Sequence, residues 1–213
     1  NLEKYDEWKD DPDMIGDVMR FLDNVLSDFI NKAPEQFKDA KYSAERERSV
    51  GLGVMGFHSF LQKKRIPLES VMAKSWNKKI FKNIHEKVNQ ASKDLAEERG
   101  ACPDAAEYGF KERFSNKTAI APTASISIIC GGASPGVEPI AANSYTHKTL
   151  SGSFNVRNRY LEEILESHGK NDDETWSTIT TNQGSVSHLD FLTDLEKDVF
   201  KTAFELNQKW IIE

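Results

Sequence analysis

Hydrophobic positions recur at three- and four-residue spacing through two long stretches of this chain. In Pro12–Asn31 they are Ile15, Val18, Leu22, Val25 and Phe29, with Met19, Leu26 and Ile30 beside them. That period predicts an amphipathic helix, and Pro12 suits its first turn. In Pro67–Arg99 the stripe is Val71, Trp76, Ile80, Phe81, Ile84, Val88, Ala91 and Leu95, with Gly100 as the stop. Shorter helices are predicted over Met55–Lys64, Tyr160–His168, Asp172–Thr181, Leu192–Leu206 and Gln208–Glu213, the last reading as cut off. Strands are predicted at Thr118–Ala121 and Asn143–Leu150, with a turn at Ser151-Gly152. Ser49–Val54 fits either a short strand or the first turn of a helix. Asn1–Asp11 has no regular pattern, with Tyr5 and Trp8 as anchors. Ala33–Glu47 reads as a charged connector and Asp104–Lys117 as a loop. The expectation is an α/β chain in which helix dominates.

One stretch breaks the polar pattern. Thr118–Val137 (TAIAPTASISIICGGASPGV) holds no charged residue, in a chain that is 29% charged. Thr118–Ala121 is apolar and β-compatible, and Pro122 ends the strand because it has no N–H to donate. Three hydroxyls then alternate at Thr123, Ser125 and Ser127 among Ile126, Ile128 and Ile129. Two uses fit this pattern. Free N–H groups at a helix start, flanked by hydroxyls, bind an anion such as a phosphate. Equally, Ser and Thr are ordinary N-caps after a buried strand.

Composition narrows the field. The 213 residues are 38% hydrophobic, enough for a sizeable core, and the net charge is −6. An acidic balance argues against a nucleic-acid surface, which is usually basic. No apolar run approaches the roughly 20 residues of a membrane span. With no secretory pattern at the start, a cytoplasmic chain is expected. Cys102 and Cys130 form no metal spacing and no CxxC, and Cys102 lacks the visible base and positive surroundings that a nucleophile needs. Gly51, Gly53 and Gly56 match Gly-x-Gly-x-x-Gly in form. A charged connector precedes them instead of a hydrophobic strand, so close backbone packing is the expectation. His58, alone on its helix, reads as a packed or surface residue.

Four stretches in order resemble the large (α) subunit of ribonucleotide reductase. They are Arg46–Gly56 (RERSVGLGVMG), Glu97–Pro103 (EERGACP), the pair Ala121–Ser125 with Gly136–Pro139, and Asn143–Phe154 (NSYTHKTLSGSF). The resemblance covers most of the chain. It implies part of a ten-stranded α/β barrel, the second of two five-stranded halves. It also implies that Pro122, Thr123, Ala124, Ser125 and Ile126 hold the diphosphate of a ribonucleoside diphosphate. Thr123 and Ser125 would give hydroxyls, and Ala124, Ser125 and Ile126 backbone N–H groups. Pro122 would border the sugar, and Ser127 is a weaker candidate in the first helical turn.

The same resemblance implies what is missing. The family's radical chemistry uses an Asn-x-Cys-x-Glu segment, and this sequence contains none. Cys102 and Cys130 do not sit in the contexts of its redox cysteines. No catalytic residue and no metal ligand is therefore assigned here. The chain reads as one piece of the reductase barrel, incomplete at both ends. The implied partners are the remaining fragments of the α subunit and a small radical-generating β subunit carrying a dimetal radical cofactor. Nucleic acid and membrane are not expected. A non-catalytic nucleotide-binding or assembly module of the same fold, or a fragment of a cobalamin-dependent reductase, are the alternative readings.

Overall fold

The computed structural model describes residues 1–149 and 152–212. In chain order the helices are α1 (Tyr5–Trp8), α2 (Met14–Lys32), α3 (Lys38–Glu47), α4 (Phe57–Lys63), α5 (Val71–Arg99), α6 (Pro103–Glu107) and α7 (Ala124–Ile129). The hairpin β1 (Ser144–Thr149) and β2 (Gly152–Arg157) follows. Then come α8 (Arg159–Ser167), α9 (Asp173–Thr181), α10 (Asp194–Val199) and α11 (Lys209–Ile212). Helix dominates, as the periodicity predicts. The predicted turn at Ser151-Gly152 lies partly outside the described residues.

Two compact units are formed. One comprises Tyr5–Gly53 and Asn77–Ala121. Its buried side chains come from α2 (Ile15, Met19, Ile30) and from α5 (Ile80, Ile84, Val88, Leu95). Burial on α2 follows Ile15, Met19, Asp23 and Ile30, so of the predicted stripe only Ile15 is buried; Val25 and Phe29 are exposed. The expected connector Ala33–Glu47 is instead mostly α3, which packs against α2 and α6. Tyr5 and Trp8, predicted as anchors, form an edge-to-face pair with ring centres 5.0 Å apart, on a helix the pattern did not reveal.

In the same unit residues 49–53, most of the Ser49–Val54 segment, are extended. Val50 and Leu52 donate N–H bonds to the carbonyls of Asn116 and Lys117, and Ala119 N–H returns one to Leu52. Leu52 and Thr118 form a parallel bridge. The predicted strand Thr118–Ala121 is thus paired on this side, yet it is not buried: Ile120 is 77% exposed. The close packing expected at the glycines is present. A Cβ on Gly51 would lie 2.7 Å from Ala119 Cβ, and one on Gly53 would lie 2.8 Å from the Ala119 carbonyl oxygen.

The other unit comprises Asn1–Lys4, Val54–Trp76 and Pro122–Glu213. Its core gathers Tyr160, Leu161 and Leu165 of α8, Trp176 and Ile179 of α9, Val186 and Leu189, and Val199 and Phe200 at the end of α10. The predicted helix Leu192–Leu206 shortens to Asp194–Val199. A capping box between Thr193 and Glu196 starts it. Tertiary bonds end it, because the Phe200 carbonyl accepts from Asn143 Nδ2 and Ala203 N–H donates to the Ile140 carbonyl. Strands β1 and β2 pair antiparallel, Ser144 opposite Arg157 through Thr149 opposite Gly152.

Candidate functional site

The uncharged stretch turns on Thr123. Its backbone sits in the left-handed region (φ 49°, ψ 25°), which residues with a Cβ seldom adopt unless held there. Its side chain does not cap α7. Instead Thr123 Oγ1 accepts the N–H of Gly136 at 2.7 Å. This bond joins the two halves of the motif, Ala121–Ser125 and Gly136–Pro139. The capped-helix alternative loses its main support, since the hydroxyl serves the loop and not the helix end.

Helix α7 begins at Ala124. Its first turn leaves the N–H groups of Ala124, Ser125 and Ile126 without a partner inside the helix, while Ser127 N–H closes on the Thr123 carbonyl at 2.8 Å. Pro122, Ala124, Ser125 and Ile126 are exposed, and Thr123 is half-buried. Ser127 is buried and donates its hydroxyl to the Ala124 carbonyl at 3.0 Å, so it faces inward. The helix ends at two glycines of positive φ, Gly131 (92°) and Gly132 (75°). Gly131 N–H donates to Ile128 and Gly132 N–H to Ser127, the paired bonds of a Schellman stop.

A cavity of about 630 Å³ adjoins the loop. Ala124, Ser127, Tyr145, His147, Arg157 and Arg159 are among its lining residues. Arg157 is committed elsewhere, 2.7 Å from Asp173 and over the Trp176 ring. Arg159 Nε lies 3.9 Å from Glu3. Glu3 in turn accepts the Tyr160 hydroxyl at 2.6 Å; burial and this carboxylate push the tyrosine above its ordinary pKa. Of the five residues expected at the diphosphate, Ala124 lines this cavity. The other four lie along the exposed start of the loop and α7.

The segment after α7 is fastened to α4. Ser59 N–H donates to Ser134 Oγ (3.1 Å), and Ser134 N–H donates to Ser59 Oγ (2.8 Å). Gly56 N–H donates to the Ser134 carbonyl at 2.7 Å. His58 Nδ1 accepts the Ile140 N–H at 3.1 Å. His58 is buried, as a packed residue should be, and burial holds its pKa down to about 4. Ser59 carried no signal in the sequence, since its partner lies 75 residues away.

The sequence profile of the ribonucleotide reductase barrel domain matches residues 1–112 and 104–213. This chain belongs to that family. It is 50% identical over 217 residues to the ribonucleoside-diphosphate reductase large subunit of Invertebrate iridescent virus 6, covering 100% of this chain and 22% of that protein. It is 45% identical to the corresponding subunit of Invertebrate iridescent virus 3, covering 98% of this chain and 33% of the relative. Among solved structures, the class Id ribonucleotide reductase α subunit of Actinobacillus ureae superposes with a TM-score of 0.91 at 40% identity. That match covers 100% of this chain and 39% of the other. The chain therefore spans about a fifth to two fifths of the proteins it resembles. Its fold is a helix-rich α/β piece of the reductase barrel domain.

The remaining reductase-like stretches build scaffold. Arg48 from the first and Arg99 from the second meet Arg113 around Asp23, a residue the sequence gave no reason to single out. Asp23 is fully buried. Its Oδ1 accepts from Arg48 (2.7 Å to Nη2) and from Arg113 (2.9 Å to Nε), and its Oδ2 accepts from Arg99 (2.8 Å). Asn143, which opens the last stretch, is buried and donates to the carbonyls of Gly184 and Phe200. Cys102 is wholly buried, with its N–H bonded to the Glu112 carbonyl, in keeping with a structural role.

Proposed function

We propose that this chain supplies the substrate-diphosphate loop of a ribonucleoside-diphosphate reductase large subunit, the enzyme that reduces ribonucleotides to deoxyribonucleotides. Pro122, Thr123, Ala124, Ser125 and Ile126 hold the substrate. The N–H groups of Ala124, Ser125 and Ile126 and the hydroxyl of Ser125 meet phosphate oxygens. Thr123 can still donate its hydroxyl hydrogen while Oγ1 accepts from Gly136. Pro122 borders the sugar. The observation that supports this reading most is the exposed, pinned start of α7: Thr123 is tied to Gly136, and the groups that follow face solvent.

The partners are the other segments of the α subunit and a small β subunit that generates the radical with a dimetal cofactor, all in the cytoplasm. Among the described residues no group of three or more His, Cys, Asp or Glu side chains is placed to hold a metal ion. No metal-bound step is assigned to this chain. Among those residues, too, no helix is long and apolar enough to cross a membrane.

Ser125→Ala is the cleaner probe, because Thr123→Ala would also free the Gly136 N–H. A hydrogen bond to a charged group contributes about 1.5–3 kcal/mol, about tenfold or more in affinity. In the assembled reductase Ser125→Ala should raise KM for a ribonucleoside diphosphate by about tenfold, with the melting temperature little changed. An unchanged KM would refute the loop assignment. The chain on its own should turn over no ribonucleotide, and turnover without added subunits would contradict its role as a part.

A further inference from the structure

Thr123 holds a backbone conformation that residues with a Cβ avoid, so its surroundings must keep it there. The bond that does so comes from Gly136. Gly136 lies between two fixed points. Ser134 is held on α4 at its N–H, its hydroxyl and its carbonyl, by Ser59 and Gly56. Ile140 is held at its N–H by His58. His58, Ser59 and Ser134 are all buried, and their hydrogen bonds are screened from competing water. The middle of the 134–140 segment reaches the loop through Gly136.

We propose that α4 is the platform that sets the diphosphate loop, with His58 and Ser59 as positioning residues acting through Ser134, Gly136 and Ile140 on Thr123. The proposal rests on the reading of residues 122–126 as the diphosphate site. Neither His58 nor Ser59 touches substrate in this scheme. They fix the span from which Gly136 N–H meets Thr123 Oγ1. That contact in turn orients the loop's N–H groups and the Ser125 hydroxyl. The sequence separates α4 from the loop by some sixty residues, and the hydrogen bonds close that gap.

A merely structural role and a positioning role differ in what they move. Loss of fold lowers the active fraction, and with it apparent kcat, while KM stays put. Loss of loop geometry raises KM. The experiment uses the assembled reductase with three sets of variants: Ser59→Ala with Ser134→Ala; His58→Leu against His58→Asn; and Ser125→Ala. The serine pair should raise KM for a ribonucleoside diphosphate about tenfold, with kcat within about twofold of wild type. Amide exchange at Gly136 should quicken. His58→Leu should raise KM, and His58→Asn should restore it, because an amide oxygen can accept the Ile140 N–H where Nδ1 does.

A raised KM for Ser125→Ala with wild-type KM for the serine pair overturns the positioning role and leaves the diphosphate site standing. Wild-type KM for Ser125→Ala as well overturns both. Should the serine pair not fold, the two His58 variants decide: equal KM values for His58→Leu and His58→Asn contradict the proposal.

Discussion

Asp23 shows how one buried charge can organise a unit. Burial alone would raise its pKa, but hydrogen bonds from Arg113, Arg99 and Arg48 outweigh that and hold it below the ordinary 3.8. A carboxylate depressed in this way adds stability above its unfolded pKa and loses it as pH falls through the folded value. The Asp23 contribution should therefore persist at neutral pH and vanish only in acid below about 4. Asp23→Ala leaves the Arg48 and Arg113 guanidinium groups buried without their counter-charge and should cost about 3–5 kcal/mol in denaturant unfolding. A loss under about 1 kcal/mol would mean the arginines find other partners. His58, whose folded pKa is also depressed, follows the same sign at higher pH. It stays neutral when folded down to about 4 but takes a proton at 6.5 when unfolded. Stability should fall as pH drops from 6.5 towards 4, and His58→Asn should flatten that part of the melting-temperature profile. A profile identical to wild type would show that His58 is not buried neutral.

At the scale of elements, α2 separates what the pattern reveals from what packing decides. The three- and four-residue spacing locates the helix, but two apolar stripes lie side by side on it, and spacing alone does not say which is buried. The core takes Met19 and Ile30, and Asp23 comes with them because three arginines from distant segments meet it there. Phe21, Val25 and Phe29 face outward. Met19→Ala should cost about 2–5 kcal/mol, while Val25→Ala should stay within about 0.5 kcal/mol. Equal costs would contradict this orientation. The C-terminal ends of α5 and α8 and the start of α9 are legible because Gly100, Gly169 and the Asp172 cap are local signals, whereas α5 begins at Val71, four residues after its predicted start at Pro67. The early end of α10 is not legible, since the groups that stop it come from Asn143 and Ile140. The same limit applies to the loop. Its residue types, its two halves and the glycine stop of α7 stand in the sequence. The Thr123–Gly136 bond and the Ser59–Ser134 pair depend on tertiary placement.

At the scale of the molecule, the chain is a piece of a reductase barrel with surface that a larger assembly would cover. Ile126, Ile128 and Ile129 are exposed along α7, which carries the proposed diphosphate loop, and we propose that this apolar surface is a contact site. The other segments of the α subunit are the proposed cover. The central claim is that residues 122–126 hold phosphate oxygens. Equilibrium binding to the assembled α subunit, with and without Ser125→Ala, tests it most directly when a ribonucleoside diphosphate is compared with the same ribonucleoside lacking phosphates. The account predicts that Ser125→Ala weakens diphosphate binding about tenfold and leaves nucleoside binding unchanged. Equal weakening of both ligands, or of neither, would contradict it.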